Sequence, residues 1–229
     1  MLTSNRYEFL NGAKDEIPIL LGVIPFGLIF GAGAVASHVP IIAAQAMSSV
    51  IFAGSAQFIA AQLLAAGASG LVVLMVIFVV NLRHALYSAS LAPYMQHLKP
   101  GWKFLLAYLL TDEAYAVAVT HYQRGSDMPN NHWYFFGAGL TLWISWQIST
   151  ALGIFIGTKI PSNVPLSFFL PLTFIALVIP VLKDRASLVS ALVAGLIGLL
   201  AINFPYKTGL LIAGLSGILA GLFIESRKK

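Results

Sequence analysis

The chain has 229 residues, of which 59% are hydrophobic and only 9% charged, and its mean hydropathy is +0.87, whereas about a quarter of the residues of a soluble domain are charged. These values exclude a soluble globular protein and indicate one that lies in a lipid bilayer. The formal net charge of +5 comes from lysines and arginines scattered singly over loops and tails. They are interpreted as topology signals, and no nucleic-acid partner is expected. Cysteine is absent, which excludes disulfides, thiol catalysis and thiolate metal sites.

The apolar runs predict an all-α, polytopic membrane protein that forms a single transmembrane domain over residues 1–229. The runs are apolar on every face, whereas the strands of a membrane barrel alternate polar and apolar residues, so helices are favoured. Turn residues and isolated charges divide the runs into about eight spans. In chain order these lie near 17–37, 41–66, 69–92, 102–122, 132–157, 165–181, 186–203 and 207–224.

The distribution of Lys and Arg predicts which ends of the spans face the cytoplasm. With eight spans and an internal N-terminus, eight basic residues lie in cytoplasmic segments and four lie outside, namely Lys99, Lys103, Lys159 and Lys207. Treating the second segment as a re-entrant hairpin would divide them six and six. Because cytoplasmic segments carry the excess of Lys and Arg, the count favours eight spans with both termini in the cytoplasm.

The first two spans are predicted to be kinked or broken. In GVIPFGLIFG, Pro25 and Gly27 interrupt an apolar run, and proline cannot donate the hydrogen bond that its position in a helix requires. The second span contains FAGSAQF, in which Gly54 is followed by Ser55 and Gln57. Small residues of this kind also allow two helices to pack closely. The alternative is a broken helix whose exposed backbone groups bind a substrate.

Charged residues inside the third and fourth spans are the strongest functional signal. Arg83 and His84 closely follow the uncharged run 70–80, and Asp112 and Glu113 lie within the fourth span. With a rise of about 1.5 Å per residue, Arg83 and Asp112 both lie roughly 15 Å from the same membrane surface, so they are expected to meet. A buried ion pair could serve only to fix helix register. However, two carboxylates, a guanidinium and an imidazole are more than that role needs, which favours a functional site.

Polar residues extend this cluster along both helices. Tyr87 follows Arg83 by one turn on the third span, and Tyr108 and Tyr115 flank Asp112 on the fourth. A guanidinium holds a carboxylate through two hydrogen bonds, and a carboxylate holds an ammonium group. The cluster therefore suits a zwitterion with an apolar side chain, such as leucine or valine, although a proton relay would use the same residue types.

Five segments, in the order GVIPFGLIFG, FAGSAQF, NLRHALYSAS, TDEAYA and PLTFIALVIPVL, make the chain similar to the AzlC family of branched-chain amino acid exporters. The resemblance covers nearly the whole chain. It implies the large subunit of a multi-pass exporter in the bacterial inner (cytoplasmic) membrane, which works with a small, separately encoded membrane protein of the AzlD family. The expected substrates are leucine, isoleucine, valine and related compounds. The matching positions are 25–27, 52–58, 81–87, Asp112 and Glu113, and the resemblance assigns no mechanistic role to them.

Two groups of residues are predicted to carry out transport. Substrate binding is expected at Arg83, Tyr87, Asp112, Ser55, Gln57, Pro25, Gly27, Gly54 and Asn81. Proton coupling is expected at Glu113, Asp112 and His84, because carboxyl and imidazole groups in an apolar medium can take up and release protons. The other histidines fall near span ends, where imidazole is usually interfacial, and no metal site or cofactor is expected.

The sequence is interpreted as that of a secondary exporter and not of an enzyme. Direct use of ATP is not expected, because the chain lacks a phosphate-binding G-x-x-x-x-G-K-[ST] loop. The alternatives are a passive channel or a membrane scaffold and, from another class, an intramembrane hydrolase with Ser55 as nucleophile and His84 as base. The hydrolase would leave Arg83 and Asp112 without a role.

Overall fold

The computed structural model describes residues 4–124, 130–160, 182, 184–204 and 208–227, and the regular structure within them is entirely helical, which confirms the predicted class. The helices are α1 Asn5–Ala36, α2 Ile41–Val50, α3 Gly54–Ala65, α4 Gly70–Asn81, α5 Arg83–Met95, α6 Pro100–Tyr108, α7 Asp112–Gln123, α8 Asn131–Gly157, α9 Arg185–Leu200 and α10 Thr208–Ser226. Helices α9 and α10 pack on each other, with Gly217 close against Ser190 and Ala194. The predicted span near 165–181 lies outside the described residues.

Three helical segments of the described chain are long and apolar enough to cross a bilayer. They are α1, the stretch Gly70–Met95 in which only Leu82 separates α4 from α5, and α8. At about 1.5 Å per residue, the 32 residues of α1 extend roughly 48 Å, beyond the ~30 Å of a hydrocarbon core. Helix α1 continues through Pro18 and Pro25, so the first span is not broken.

Helices α1 and α8 pack side by side through glycines. A Cβ atom on Gly12 would lie 2.0 Å from the carbonyl oxygen of Tyr134, and one on Gly31 would lie 2.3 Å from that of Thr150. Both distances are too short for a side chain, so the close approach requires glycine at these positions. Since the numbers of the contacting residues rise together along the two helices, α1 and α8 run in the same direction.

The segment predicted as the second span is broken in the middle, as its sequence suggested. Helix α2 ends at Val50 and α3 begins at Gly54, and between them Phe52 has a positive φ of 42°, which is uncommon for a bulky residue. The hydroxyl of Ser48 on α2 accepts a hydrogen bond from Nε2 of Gln57 on α3 at 2.9 Å. This buried bond ties the two short helices together across the break.

Contacts with α1 show that α3 turns back after the break. The ring of Phe58 stacks on Phe26 with centroids 4.7 Å apart and meets Phe30 edge-on at 5.4 Å, and Gly54 lies against Phe26. Helix α3 therefore runs in the same direction as α1, whereas α2 follows α1 after a short turn and runs the opposite way. The pair is a helical hairpin that reaches the middle of the fold and returns, in place of the membrane-crossing span, kinked or broken, predicted at 41–66.

The segment predicted as the fourth span is also divided. Helix α6 ends at Tyr108 and α7 begins at Asp112, where the Thr111 hydroxyl accepts a hydrogen bond from the backbone N–H of Ala114 and caps the new helix. This break was not predicted. It separates Tyr108 from the helix that carries Asp112, so these two residues do not lie on one face of a continuous helix.

Helix α7 runs alongside α5 in the same direction and forms a second hairpin with α6. Tyr87 stacks on Tyr115 with centroids 4.5 Å apart, and Tyr94 meets Tyr122 at 5.1 Å. Helices α5 and α7 therefore finish at the same end of the molecule. Helix α8 begins at this same end, and Trp102 of α6 packs against the beginning of α8. Helix α6 therefore starts there too.

The two hairpins enter the fold from opposite ends and meet at their tips. At the meeting point the hydroxyl of Tyr108 donates a hydrogen bond to the carbonyl oxygen of Ser49 at 2.5 Å. Each hairpin follows a long helix, α1 in one case and α4–α5 in the other, and these long helices run in opposite directions. The two units are thus arranged as inverted repeats. Hydropathy does not reveal this arrangement, because two short helices and one long span are apolar runs of the same length.

Candidate functional site

The hairpin tips border a small cavity of about 90 Å³ in the middle of the fold. Its polar lining comes from α3, α5, α7 and the turn between α6 and α7, which is the tip of the second hairpin. It consists of Ser55, Arg83, His84, Thr111, Asp112 and Glu113. Its apolar lining comes from α1, α8, the turn between α2 and α3 and the first residue of α3. It consists of Val23, Phe26, Phe52, Ala53, Gly54, Leu142 and Trp146. The charged residues that stand out in the sequence therefore lie together, with an apolar wall beside them.

Arg83 joins the two hairpins. Its Nη1 donates a hydrogen bond to Oδ2 of Asp112 at 2.5 Å, and its Nη2 donates one to Oγ of Ser55 at 2.8 Å. The side chains of Arg83 and Asp112 remain 31% and 38% exposed, so the pair borders open space and is not sealed in the core. Arg83 and Asp112 meet, as their estimated depths predict, but Asp112 does so from a hairpin tip and not from the middle of a straight span.

Three buried polar atoms at the cavity have no hydrogen-bond partner among the described residues. They are Nε of Arg83, Nε2 of His84 and Oδ1 of Asp112. The nitrogen of His84 lies 3.9 Å from the oxygen of Asp112, which is too far for a hydrogen bond. Buried polar groups are normally hydrogen-bonded, so these atoms are available to a polar ligand or to water.

Two helices begin at the cavity wall. Helix α3 starts at Gly54 and α7 starts at Asp112, so the positive dipole ends of both helices lie beside the cavity. Glycine at position 54 lets the start of α3 lie close to two aromatic rings, since a Cβ atom there would be 2.9 Å from the ring of Phe26 and 3.0 Å from that of Trp146. N-termini of half-helices bind anionic groups in transporters with broken helices.

Buried hydrogen bonds hold the first hairpin against α8. The hydroxyls of Ser48 and Thr150 are 2.9 Å apart, and Nε1 of Trp146 donates to Oε1 of Gln57 at 3.1 Å. Gln57, predicted to bind substrate, uses its amide within this scaffold and does not line the cavity. Its polar group fixes the position of the hairpin.

Four other residues predicted to bind substrate also lie outside the cavity lining. They are Pro25, Gly27, Tyr87 and Asn81. Gly27 makes room for α8, because a Cβ atom there would lie 2.2 Å from Oγ of Ser149. Tyr87 packs on Tyr115 instead of facing the cavity. The predicted residues that do line it are Arg83, Asp112, Ser55, Gly54, Glu113 and His84.

The geometry does not assemble the alternative hydrolase. The hydroxyl of Ser55 accepts a hydrogen bond from Arg83, and no hydrogen bond joins it to His84 among the described residues. His84 instead lies edge-on to Tyr87, with ring centroids 6.0 Å apart. A serine nucleophile needs a base within hydrogen-bond reach, and this pair lacks that contact.

Part of the site could not be recognised from the sequence. Phe52 and Thr111 belong to the breaks, which hydropathy does not show, and Trp146 looks like an ordinary packing residue of a long helix. Glu16, which lies outside the cavity lining, was also missed: the predicted first span starts after it, yet its side chain is 0% exposed within α1. The available signal was its position directly beside the long uncharged run.

Comparisons with known proteins place the chain among membrane proteins. A family model described as AzlC protein matches residues 18–160, from within α1 to just beyond α8. The inner membrane protein YgaZ of Escherichia coli is 30% identical over 221 residues, which cover 93% of this chain and 87% of that protein. An uncharacterized membrane protein of Archaeoglobus fulgidus is 31% identical over 93% of this chain and 94% of its own length. The branched-chain amino acid transport protein AzlC of Bacillus subtilis is 28% identical over 75% of this chain and 66% of its own length. No solved structure matches the chain.

Proposed function

The chain belongs to the AzlC family, and we propose on this premise that it is the large subunit of an exporter that moves branched-chain amino acids out across the bacterial inner membrane in exchange for protons. The chain is a helical membrane protein of a transport family. Leucine, isoleucine and valine as substrates, protons as the coupling ion and a small AzlD-type membrane subunit as partner are parts of the proposal. The name of the Bacillus subtilis relative supports the substrate class.

The observation that carries the proposal is the set of unpaired polar atoms around Arg83. The Nε–H of Arg83 and the N-terminus of α3 suit a substrate carboxylate. The free Oδ1 of Asp112 suits a substrate ammonium group. An α-amino acid carries both groups on one carbon atom, so a single small molecule can satisfy both sides of the cavity.

The apolar wall supports a preference for aliphatic side chains. Val23, Phe26, Phe52 and Leu142 offer no hydrogen-bonding side-chain group. The indole N–H of Trp146 is already bonded to Gln57. A polar substrate side chain would lose its bonds to water without replacement, whereas an aliphatic one gains by leaving water.

The cavity size and the hairpin arrangement support a carrier over a passive channel or a scaffold. About 90 Å³ is well below the roughly 300 Å³ or more of typical ligand pockets, so the cavity must widen to hold a substrate, and movement of a hairpin would widen it. Because the hairpins come from opposite ends, moving one of them opens the cavity towards one end only. Opening them in turn gives alternating access.

The basic residues support a topology in which α1, α4–α5 and α8 cross the membrane and both hairpins re-enter. Within residues 4–160, the end where α1 begins carries Arg6, Lys14, Lys99, Lys103 and Arg124, and the opposite end carries Lys159. This is a division of five to one, whereas straight spans would divide the same six residues three and three. The positive-inside rule therefore favours the hairpins and a cytoplasmic N-terminus.

Transport by the purified protein tests the proposal. The chain is reconstituted in proteoliposomes with and without its AzlD-type partner, and uptake of each of the twenty amino acids is measured with and without a pH gradient. We expect accumulation of leucine, isoleucine and valine, and faster exchange when vesicles are preloaded with unlabelled substrate. Absence of this acceleration would indicate a channel, and a preference for polar amino acids would contradict the assignment of the apolar wall. Continued transport by Ser55→Ala would exclude the hydrolase.

A further inference from the structure

Glu16 is a buried acid that the proposed substrate site does not use. Its side chain lies in α1 with 0% of its surface exposed, and neither carboxyl oxygen has a hydrogen-bond partner among the described residues. An ionised carboxylate buried without partners is costly. Packing gives no reason for an acid here, because a residue without charge would fill the same space at lower cost.

The antiparallel arrangement of α1 and α7 brings Glu16 to the level of Glu113. Near the end where α1 begins, Oε2 of Glu8 lies 3.7 Å from Nε2 of His121 on α7. Glu16 follows Glu8 by eight residues, and Glu113 precedes His121 by eight, so each lies about 12 Å further towards the middle of the fold. Two carboxylates at one level of neighbouring helices repel each other, which favours the protonated form of one of them. Glu113 also lines the cavity, which connects Glu16 to the proposed substrate site.

Ionisable and hydroxyl side chains continue from this pair to the end where α1 begins. Asp15 accepts a hydrogen bond from the Tyr134 hydroxyl at 2.7 Å, and the Tyr134 ring stacks on His121 with centroids 3.7 Å apart. His121 in turn meets Glu8, which is buried. The titratable groups that interact with Glu16 thus come from α7 and α8, namely Glu113 and Tyr134.

We propose that Glu16 and Glu113 share one proton and pass it between the cavity and the Glu8–His121 pair. This inference rests on the proposed function as a proton-coupled exporter. In the step, the proton leaves the carboxylic acid of Glu113 and binds the carboxylate of Glu16. The pair carries one negative charge before and after, and no other reactant is consumed. Two acids at the same level of neighbouring helices favour this state, since both cannot be ionised without repulsion.

Infrared spectroscopy tests the shared proton without any transport assay. The C=O stretch of a protonated carboxyl group is separate from the bands of carboxylates, and it is followed during a pH titration of the protein in lipid vesicles. We expect Glu16→Gln to remove or shift such a band. Glu225→Gln, which changes an exposed acid at the end of α10, should leave it in place. A spectrum of Glu16→Gln that keeps every protonated carboxyl band of the wild type would overturn the proposal.

Transport then separates this inference from the proposed function. In proteoliposomes Glu16→Gln should keep the exchange of leucine for leucine but lose accumulation driven by a pH gradient, whereas Glu225→Gln should retain both. Normal accumulation by Glu16→Gln would overturn the relay. A wild-type protein that exchanges no branched-chain amino acid would contradict the proposed function instead.

A second variant separates proton transfer from a structural role. Glu16→Asp keeps a carboxyl group, so it should retain a titrating infrared band and part of the accumulation, with a melting temperature near that of Glu16→Gln. If Glu16→Asp loses accumulation as completely as Glu16→Gln although both are folded, the carboxyl group is not what the position supplies, and the proposal fails.

Discussion

Replacing Arg83 by lysine separates the charge of this residue from its geometry. The guanidinium donates to Asp112 and to Ser55 from two different nitrogens and keeps Nε free for a ligand. Lysine retains the positive charge, but its single ammonium group cannot reproduce the planar fork. Hydrogen bonds to charged groups contribute about 1.5–3 kcal/mol each. Losing one of them in the substrate complex should therefore lower the transport rate at limiting substrate roughly 10- to 150-fold, at about 1.4 kcal/mol per factor of ten.

The assay is the initial rate of leucine counterflow in proteoliposomes, normalised to the amount of folded protein. Arg124→Lys is a matched control, because Arg124 is exposed at the end of α7 and should tolerate the change. Counterflow by Arg83→Lys at the wild-type rate would show that only the charge is needed and would refute recognition through the fork. Ser55→Ala removes one of the same hydrogen bonds, so its effect should be largely absent in the Arg83→Lys background.

Three further predictions test the topology, the coupling and the helix packing. Cysteines introduced at Ser69 and Thr158 should be labelled from the same side of the membrane, because the first hairpin returns to the end where it entered; labelling from opposite sides would support straight spans. Glu113→Gln should exchange leucine but no longer concentrate it in response to a pH gradient, and normal accumulation by this variant would exclude Glu113 as the coupling group. Gly137→Ala should destabilise the protein by about 1–3 kcal/mol in thermal melts, because its Cβ would lie 2.0 Å from a carbonyl oxygen of α1, whereas Gly22→Ala has nothing within 4 Å and should be neutral.

The helical class and the contact between Arg83 and Asp112 could be predicted, because the first follows from the pattern of apolar runs and the second from the rise of a helix. Runs that are apolar on every face indicate helices in a membrane, and the constant rise of a helix places residues at a known depth. The hairpins could not be predicted in the same way, since hydropathy does not show whether an apolar segment crosses the membrane or turns back within it. The useful signal was the position of Lys99 and Lys103, which straight spans place outside the cell against the positive-inside rule.

The roles of individual polar residues were harder to predict than their presence in the membrane. A buried amide must find partners, but the sequence does not say whether these are protein atoms or a ligand. Gln57 finds Ser48 and Trp146 within the scaffold, whereas Arg83 and Asp112 keep unpaired atoms at the cavity. Only the three-dimensional arrangement distinguishes these two cases.

The two inverted units contribute different chemical groups to the cavity that lies between them. The first tip contributes the neutral hydroxyl of Ser55, whereas the second contributes the carboxylates of Asp112 and Glu113. Arg83 therefore holds the first hairpin through its hydrogen bond to Ser55, in which only the guanidinium is charged. It holds the second hairpin through its hydrogen bond to Asp112, in which both groups are charged. The bond between two charged groups is the stronger. A substrate carboxylate that competes for the guanidinium displaces Ser55 at lower cost than Asp112. Substrate binding is thus expected to release Ser55 of the first hairpin from Arg83, while the bonds between that hairpin and α8 persist and the second hairpin stays attached to Arg83.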